Sequence, residues 1–364
     1  MTTYLLAGGG TAGHVNPLLA VADALRAGEP DAVVIALGTR EGLEARLVPE
    51  RGYELAFVPR VPFPRRPNRQ ALRFPGRFNR AVSGVVDLIR ARNVDVVVGF
   101  GGFVSTPAYL AARRMRVPIA IHEANAKPGL ANKLGARFTK QVGVAFAGTP
   151  IRHAQFVGMP LRPEIERLDR AAVRREAEDF FGLEHGRKTL LVTGGSLGAR
   201  RLNNTIVESA PGLIAAGWQV LHITGERGEV SDPGLDHYRM IAYCDRMDLA
   251  LGTADFAVSR AGAATVSELC ALGIPAVYVP YPVGNGEQRF NAADVVRAGG
   301  GMLVDDAGFL PEWVREELLP VLGDTLRIGT MGRAAASVGV RDGSARMLDL
   351  IRQARERIGR PPSA

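Results

Sequence analysis

The chain has 364 residues, 46% of them hydrophobic and 23% charged, with 45 lysines and arginines against 37 aspartates and glutamates. That length exceeds one ordinary domain and suits two soluble α/β domains, and no apolar run is long enough to span a bilayer. Two cysteines, Cys244 and Cys270, give no disulfide framework or metal-ligand spacing, which fits a reducing compartment. No basic segment followed by an apolar stretch opens the chain, so no signal peptide is read and a cytosolic location is expected. The net charge of +8 comes nearly all from arginine; it admits nucleic acid, an anionic membrane or a phosphorylated ligand as partner.

"TYLLAG" reads as the first strand, and Gly8, Gly10 and Gly13 follow it in the spacing G-x-G-x-x-G. A helix is expected from about Pro17 to Arg26, with the proline in its first turn. "AVVIAL" is the second strand and "TREGLEARLVPE" a helix. "VDVVVGF", "TPAYLAARRM" and "VPIAIHE" read as strand, helix and strand. β-Branched runs alternating with helices predict a parallel sheet covered on both faces.

Pro160 and Pro163 break this rhythm at "FVGMPLRPEIERL", which reads as a linker. A polar helix is expected over about Asp169 to Phe181. "KTLLVTGGSLGARRLNNTI" then repeats the opening design, followed by the strands "WQVLHIT", "FAVSR" and "IPAVYVP". A last helix is expected from about Asp342, and "GRPPSA" is expected to fray. The division read from the sequence is 1–158, 159–340 and a terminal helix at 341–364. The fold class is α/β, with two doubly wound domains facing a cleft and ligands bound outside the carboxyl ends of the strands.

The first glycine turn invites a dinucleotide reading, but that needs an acid at the end of the second strand to hold a ribose. Here the strand ends "IALGT", with no acid before Glu41. His14 falls near the exposed helix N-terminus, where a solvated loop histidine is the bland alternative to a functional one. In "TGGSLGARRLN", the amides of Gly194 and Gly195 and the amide and hydroxyl of Ser196 would cradle a diphosphate. "SRAGAATVSEL" offers a second helix N-terminus at Ala263, with Glu268 one turn in, either capping the helix or holding ribose hydroxyls. His122, Glu123 and Asn125 end a strand and are read as contacts to a second substrate. No G-x-S-x-G supports a hydrolase triad, and no D-x-D pair supports a metal-chelating transferase.

Together these motifs resemble the MurG family of peptidoglycan glycosyltransferases, which move N-acetylglucosamine from UDP-GlcNAc to lipid I (undecaprenyl-diphosphoryl-MurNAc-pentapeptide) to give lipid II. The resemblance rests on "GGGTAGHVNPLLAVADAL", "GFGGFVSTPAYLAA", "HEANAKPGLANKLGA", "VGMPLR", "TGGSLGARRLN", "SRAGAATVSEL" and "EQRFNA", in the family's order over nearly the whole chain. It implies the GT-B architecture of two Rossmann-like domains. The first would face acceptor and membrane, the second would bind UDP-GlcNAc, and the C-terminal helix would return to the first.

By motif, the resemblance places Thr11, Ala12 and Gly13 at the sugar and phosphates and Asn125 at the GlcNAc end. Arg162 and Ser196 match nucleotide and diphosphate contacts, and the backbone at Cys244 matches a uracil contact. Ala263, Ala264, Thr265, Val266, Ser267 and Glu268 match a turn carrying phosphate and ribose contacts, and Gln288 and Asn291 match sugar-hydroxyl contacts. Ala12 and Ala124 stand where the family often has glycine and glutamine, and "GNGEQ" lacks its acidic lead-in.

The implied reaction inverts the anomeric carbon in one displacement and needs a base and charge stabilisation. His14 is nominated as base, because imidazole is the side chain suited to proton exchange near neutral pH; orienting a phosphate or sugar hydroxyl is its rival role. No tightly bound cofactor or metal is expected, and a loosely associated Mg²⁺ stays compatible. Another UDP-sugar transferase of the same fold and a non-catalytic nucleotide-sugar sensor are the competing readings.

Between Leu55 and Val86 there is no acid, while Arg60, Arg65, Arg66, Arg69, Arg73, Arg77 and Arg80 are interleaved with Phe57, Phe63, Leu72, Phe74 and Phe78. Arg65, Arg66, Arg69, Arg73 and Phe74 are read as a patch for an anionic membrane surface, on the cytoplasmic face. The bland reading is a basic loop whose rings pack on the domain. No nucleic-acid recognition motif accompanies the cluster, so no nucleic-acid partner is expected.

Overall fold

The computed structural model describes residues 1–61, 69–195, 199–225, 230–282 and 286–356, and for 69–72 the backbone alone. The chain divides into two compact units, Met1–Pro163 with the segment from Arg341, and Glu164–Val340. Among the described residues no helix is long and apolar enough to cross a membrane.

The first unit runs β1 (Thr3–Gly8), α1 (Ala12–Gly28), β2 (Val33–Gly38), α2 (Glu44–Glu50), β3 (Glu54–Phe57), α3 (Arg69–Ala91), β4 (Val96–Gly101), α4 (Ser105–Met115), β5 (Ile119–Glu123), α5 (Leu130–Gly135), β6 (Val142–Val144) and β7 (Ala154–Phe156). Its seven strands are all parallel, in the order β3-β2-β1-β4-β5-β6-β7. Alternation along β1 sends Tyr4 and Leu6 to one face and Leu5 and Ala7 to the other. Tyr4 and Leu6 pack with Leu18 of α1 and with Met347 and Ile351 near the C-terminus. Leu5 and Ala7 pack with Val82 of α3 and Tyr109 of α4.

The second unit runs α6 (Pro163–Glu166), α7 (Arg170–Phe181), β8 (Lys188–Thr193), α8 (Arg200–Ala215), β9 (Trp218–Ile223), β10 (Tyr238–Ile241), α9 (Met247–Thr253), β11 (Ala254–Ser259), α10 (Ala263–Ala271), β12 (Ala276–Tyr278), α11 (Glu287–Asn291), α12 (Ala293–Arg297) and β13 (Gly301–Leu303), then α13 (Pro311–Trp313), α14 (Leu319–Gly323) and α15 (Thr325–Val338). Its order is β10-β9-β8-β11-β12-β13, again parallel throughout. Helix α16 (Gly343–Glu356) carries the chain back to α1 of the first unit.

Both sheets reverse strand order at one place, between β1 and β4 and between β8 and β11. At such a switch point the two neighbouring connections leave in opposite directions and open a crevice at the strand carboxyl ends. There Gly8 pairs with Gly101 in one unit, and Thr193 with Ser259 in the other.

Two expectations change. Helix α1 begins at Ala12, so Pro17 lies inside it and not in its first turn, and His14 is the third helical residue. The strands β3, β6, β7, β10 and β13 have only three or four residues; that is too short for a period to declare itself. "GRPPSA" lies outside the described residues.

Candidate active site

The first switch point is built from glycine. Gly10 has φ +92°, and a Cβ at Gly9 would fall 2.4 Å from a carboxylate oxygen of Glu44. This acid was not recognised in the sequence. It is fully buried, and it accepts from the Gly10 N–H at 2.8 Å with one oxygen and from the Thr39 N–H and hydroxyl at 2.8 and 2.9 Å with the other. Burial alone would raise its pKa; the backbone bonds from Gly10 and Thr39 outweigh that and hold it below the ordinary carboxylate range. An acid near the end of the second strand therefore does exist, and it serves the protein's own turn instead of a ribose.

His14 is half-buried on the first turn of α1, a helix with no side-chain cap. Its Nδ1 lies 3.1 Å from the Gly9 carbonyl oxygen and 3.3 Å from Thr11 Oγ1. A carbonyl can only accept, so this contact calls for a proton on Nδ1, and in the neutral ring Nε2 is then the acceptor. From β4, Gly101 at φ +98° passes the ring so closely that a Cβ there would sit 3.1 Å from Nε2. Ser105, fully buried, accepts from the Gly101 N–H at 3.0 Å, and its hydroxyl lies 2.9 Å from the Ala7 carbonyl, fastening β4 to β1.

His122 and Glu123 do not face a second substrate, which corrects the sequence reading. His122 is wholly buried, its Nε2–H donates to the Gly158 carbonyl at 3.0 Å, and burial lowers its pKa to about 4. Glu123, also buried, accepts from the amides of Asn125 and Gly129 and from Asn132 Nδ2 at 2.9 to 3.0 Å. It shapes the loop that presents Asn125, which is only half-buried at the carboxyl end of β5.

In the second unit, Gly195 has φ +83° directly after β8. Ser196 lies outside the described residues. Beside it, α10 starts at Ala263 after Gly262 with no side-chain cap, so its first amides are open to an anion. The turn is secured from within. Arg260 is buried, ion-paired to Asp306 at 2.6 Å, and donates to the Val279 and Pro280 carbonyls at 3.2 and 3.3 Å.

Ala264, Thr265, Ser267 and Glu268 are half-buried and Ala263 nearly covered. Val266 is a core residue, and its N–H is committed to the Gly262 carbonyl at 2.9 Å. Asn291 is a second correction: it is buried and its Nδ2 donates to the Ala261 carbonyl at 3.2 Å, supporting the turn and not a sugar. Gln288 is half-buried, with Oε1 held by the Tyr281 N–H at 2.9 Å. Cys244 is buried just past the end of β10, and Arg162 is half-buried ahead of α6. Arg65 and Arg66 lie outside the described residues, as does the side chain of Arg69; Arg73 is exposed and Phe74 half-buried.

Two Rossmann-like parallel sheets, each with an uncapped helix N-terminus at its switch point, have the architecture of a glycosyltransferase of the GT-B class. The glycosyltransferase family 28 N-terminal domain matches residues 4–144, and the family 28 C-terminal domain residues 189–347. The UDP-N-acetylglucosamine--N-acetylmuramyl-(pentapeptide) pyrophosphoryl-undecaprenol N-acetylglucosamine transferase of Leifsonia xyli subsp. xyli is 68% identical over 97% of this chain and 98% of its own. The Streptomyces coelicolor protein of the same name is 52% identical over 96% and 97%. The crystal structure of Acinetobacter baumannii MurG superposes with a TM-score of 0.78 at 26% identity, covering 97% of this chain and all of that one. The chain belongs to the MurG family, and it is an N-acetylglucosaminyltransferase of peptidoglycan synthesis.

Proposed function

We propose that the chain moves N-acetylglucosamine from UDP-GlcNAc to the C4 hydroxyl of MurNAc in lipid I, in one inverting displacement with His14 as general base. The observation that carries this reading is the 3.1 Å contact of His14 Nδ1 with the Gly9 carbonyl, which engages that nitrogen and leaves Nε2 as the one to take a proton. The acceptor hydroxyl gives its proton to Nε2 as its oxygen bonds to C1. The bond from C1 to the diphosphate oxygen breaks, and its electron pair leaves with UDP.

Charge on the leaving diphosphate falls to the open amides of α10, to Ser196 and to Arg162, so no protein-held metal enters this reading. Thr11 and the amides of Ala12 and Gly13 are assigned to the sugar and phosphates by their family motif. Glu268 accepts from the ribose hydroxyls, Gln288 Nε2 donates to a sugar hydroxyl, the backbone at Cys244 meets the uracil, and Asn125 meets the GlcNAc. The first unit docks on the cytoplasmic leaflet, where the polyprenyl acceptor resides, through the arginine-rich segment before and within α3.

His14→Ala tests the base. A general base is worth about 10²–10⁴-fold in rate, so kcat should fall by that factor with the donor KM nearly unchanged. A fall of less than about tenfold would reduce His14 to a positioning role.

A further inference from the structure

The bonds around the glycine turn share one peptide group. The Gly9 carbonyl that accepts from His14 Nδ1 and the Gly10 N–H that donates to Glu44 are the two ends of the same peptide unit. The unit has little freedom: Gly10 holds φ +92°, and a Cβ at Gly102 would come within 2.6 Å of the Gly9 oxygen. The carboxylate is equally fixed, since Cβ atoms at Gly9, Gly38 and Gly42 would each lie 2.1 to 2.4 Å from Glu44 atoms. Three glycines thus make room for one buried acid.

We propose that Glu44 is a positioning residue for His14, acting through the Gly9–Gly10 peptide as the third member of a carboxylate–peptide–imidazole relay. An anion accepting from the Gly10 N–H pulls electron density toward the Gly9 oxygen, and hydrogen bonds in such a chain strengthen one another. The Gly9 oxygen becomes a better acceptor for Nδ1–H, which fixes the tautomer and makes Nε2 more basic, as a carboxylate does when it contacts histidine directly. Glu44 takes no proton in the reaction; the acceptor's proton stops at Nε2. Glu123, on the neighbouring strand, is committed to Asn125, Gly129 and Asn132, and Asn132 Nδ2 lies 3.5 Å from where a Gly101 Cβ would sit.

The relay rests on His14 being the base, but its first readout does not. In ¹⁵N-labelled protein, His14 is expected as the Nδ1–H tautomer. Glu44→Gln keeps the shape and removes the charge, so the proton should redistribute toward Nε2, as read from the two ring-nitrogen shifts. Kcat should fall about 10–100-fold, the scale on which outer partners of a histidine act, with donor KM unchanged. An unaltered tautomer in a folded Glu44→Gln protein overturns the relay. A His14→Ala protein of normal kcat overturns the base role and leaves the tautomer measurement to judge the relay alone. Should Glu44→Gln not fold, the wild-type chain decides: the Gly10 amide proton is expected to shift downfield as His14 gains its proton, and a resonance that stays still overturns the proposal.

Discussion

The Tyr281 amide N–H donates to Gln288 Oε1 at 2.9 Å, so the backbone fixes which way the Gln288 carboxamide points. Its oxygen is engaged, and its Nε2 is left to donate. Gln288→Glu preserves the bond from Tyr281 and turns the remaining donor into an acceptor carrying charge. A neutral hydrogen bond is worth about 0.5–1.5 kcal/mol, and the added negative charge next to a diphosphate makes the change worse. Donor KM should rise roughly tenfold or more with kcat less affected, as measured by initial rates against UDP-GlcNAc concentration. An unchanged donor KM would take Gln288 out of the sugar site.

Much of this molecule could be read from its residues, and the failures share a cause. The strands β1, β2, β4, β5, β8 and β9 each carry five or six residues of apolar sequence, so they and the switch-point turns after β1 and β8 stand out. A strand-turn-helix junction is local in sequence, which is why His14, Gly195 and Ala263 are legible as residues at the carboxyl ends of the strands beside the switch points. Long-range roles are not local. Glu44 lies 34 residues from Gly10, and Asn291 lies 30 from Ala261. Nothing in a linear pattern separates a side chain that serves ligand from one that holds the turn beneath it. The signal that was present for Glu44 is the company of Gly9, Gly38 and Gly42, whose lack of side chains makes sense only once an acid occupies the space between them.

Each unit buries a histidine that must stay neutral. Burial lowers the pKa of His122 in the first unit, and of His222 in the second, to about 4. His222 Nδ1 lies 2.6 Å from the Tyr238 hydroxyl and Nε2 lies 3.1 Å from Asn203 Oδ1. Asn203 Nδ2 donates to the Thr224 carbonyl, which turns Oδ1 toward the ring; Nε2 must then donate and Nδ1 accept, the pattern of a neutral imidazole.

In the unfolded chain these rings take a proton below about pH 6.5. Above that pH neither state binds the proton and stability is full. Between about 6.5 and 4 only the unfolded state binds it, so stability falls as pH falls, by up to about 1.4 kcal/mol per pH unit for each ring. His122→Gln keeps an N–H for the Gly158 carbonyl and cannot titrate. Urea midpoints at pH 7.5 and 5 should therefore converge in the variant, recovering about 2 kcal/mol of the acid-side loss in the first unit. An unaltered difference between the two pH values would mean that His122 is not the group responsible.

The aromatic rings in and around the arginine-rich segment of the first unit lie in two environments. Phe78 packs on the core beneath α3, with Phe74 stacked on it at 5.4 Å between centroids. Phe57 and Phe103 instead face outward, 45% and 47% exposed, with the guanidinium groups of Arg40 and Arg60 over them at 4.5 and 5.7 Å. Arg73, Arg77 and Arg80 are exposed along the same helix. Outward aromatic rings beside arginine supply the apolar and cationic components that the proposed docking on a lipid headgroup layer calls for. Each arginine near an anionic surface contributes about 1 kcal/mol, screened by salt. Changing Arg65, Arg66, Arg69 and Arg73 to glutamine should therefore weaken binding to vesicles containing anionic lipid, with little binding to neutral vesicles before or after the change. Turnover of membrane-embedded acceptor should fall with it, while a short soluble acceptor analogue should be turned over nearly as before. Phe103→Ser should weaken binding to the anionic vesicles at low salt without reducing the salt dependence of that binding, because the ring's contribution is apolar and unscreened. Equal loss of activity on both acceptors in the four-arginine variant would place the cluster in the active site or the fold, and the docking role would be withdrawn.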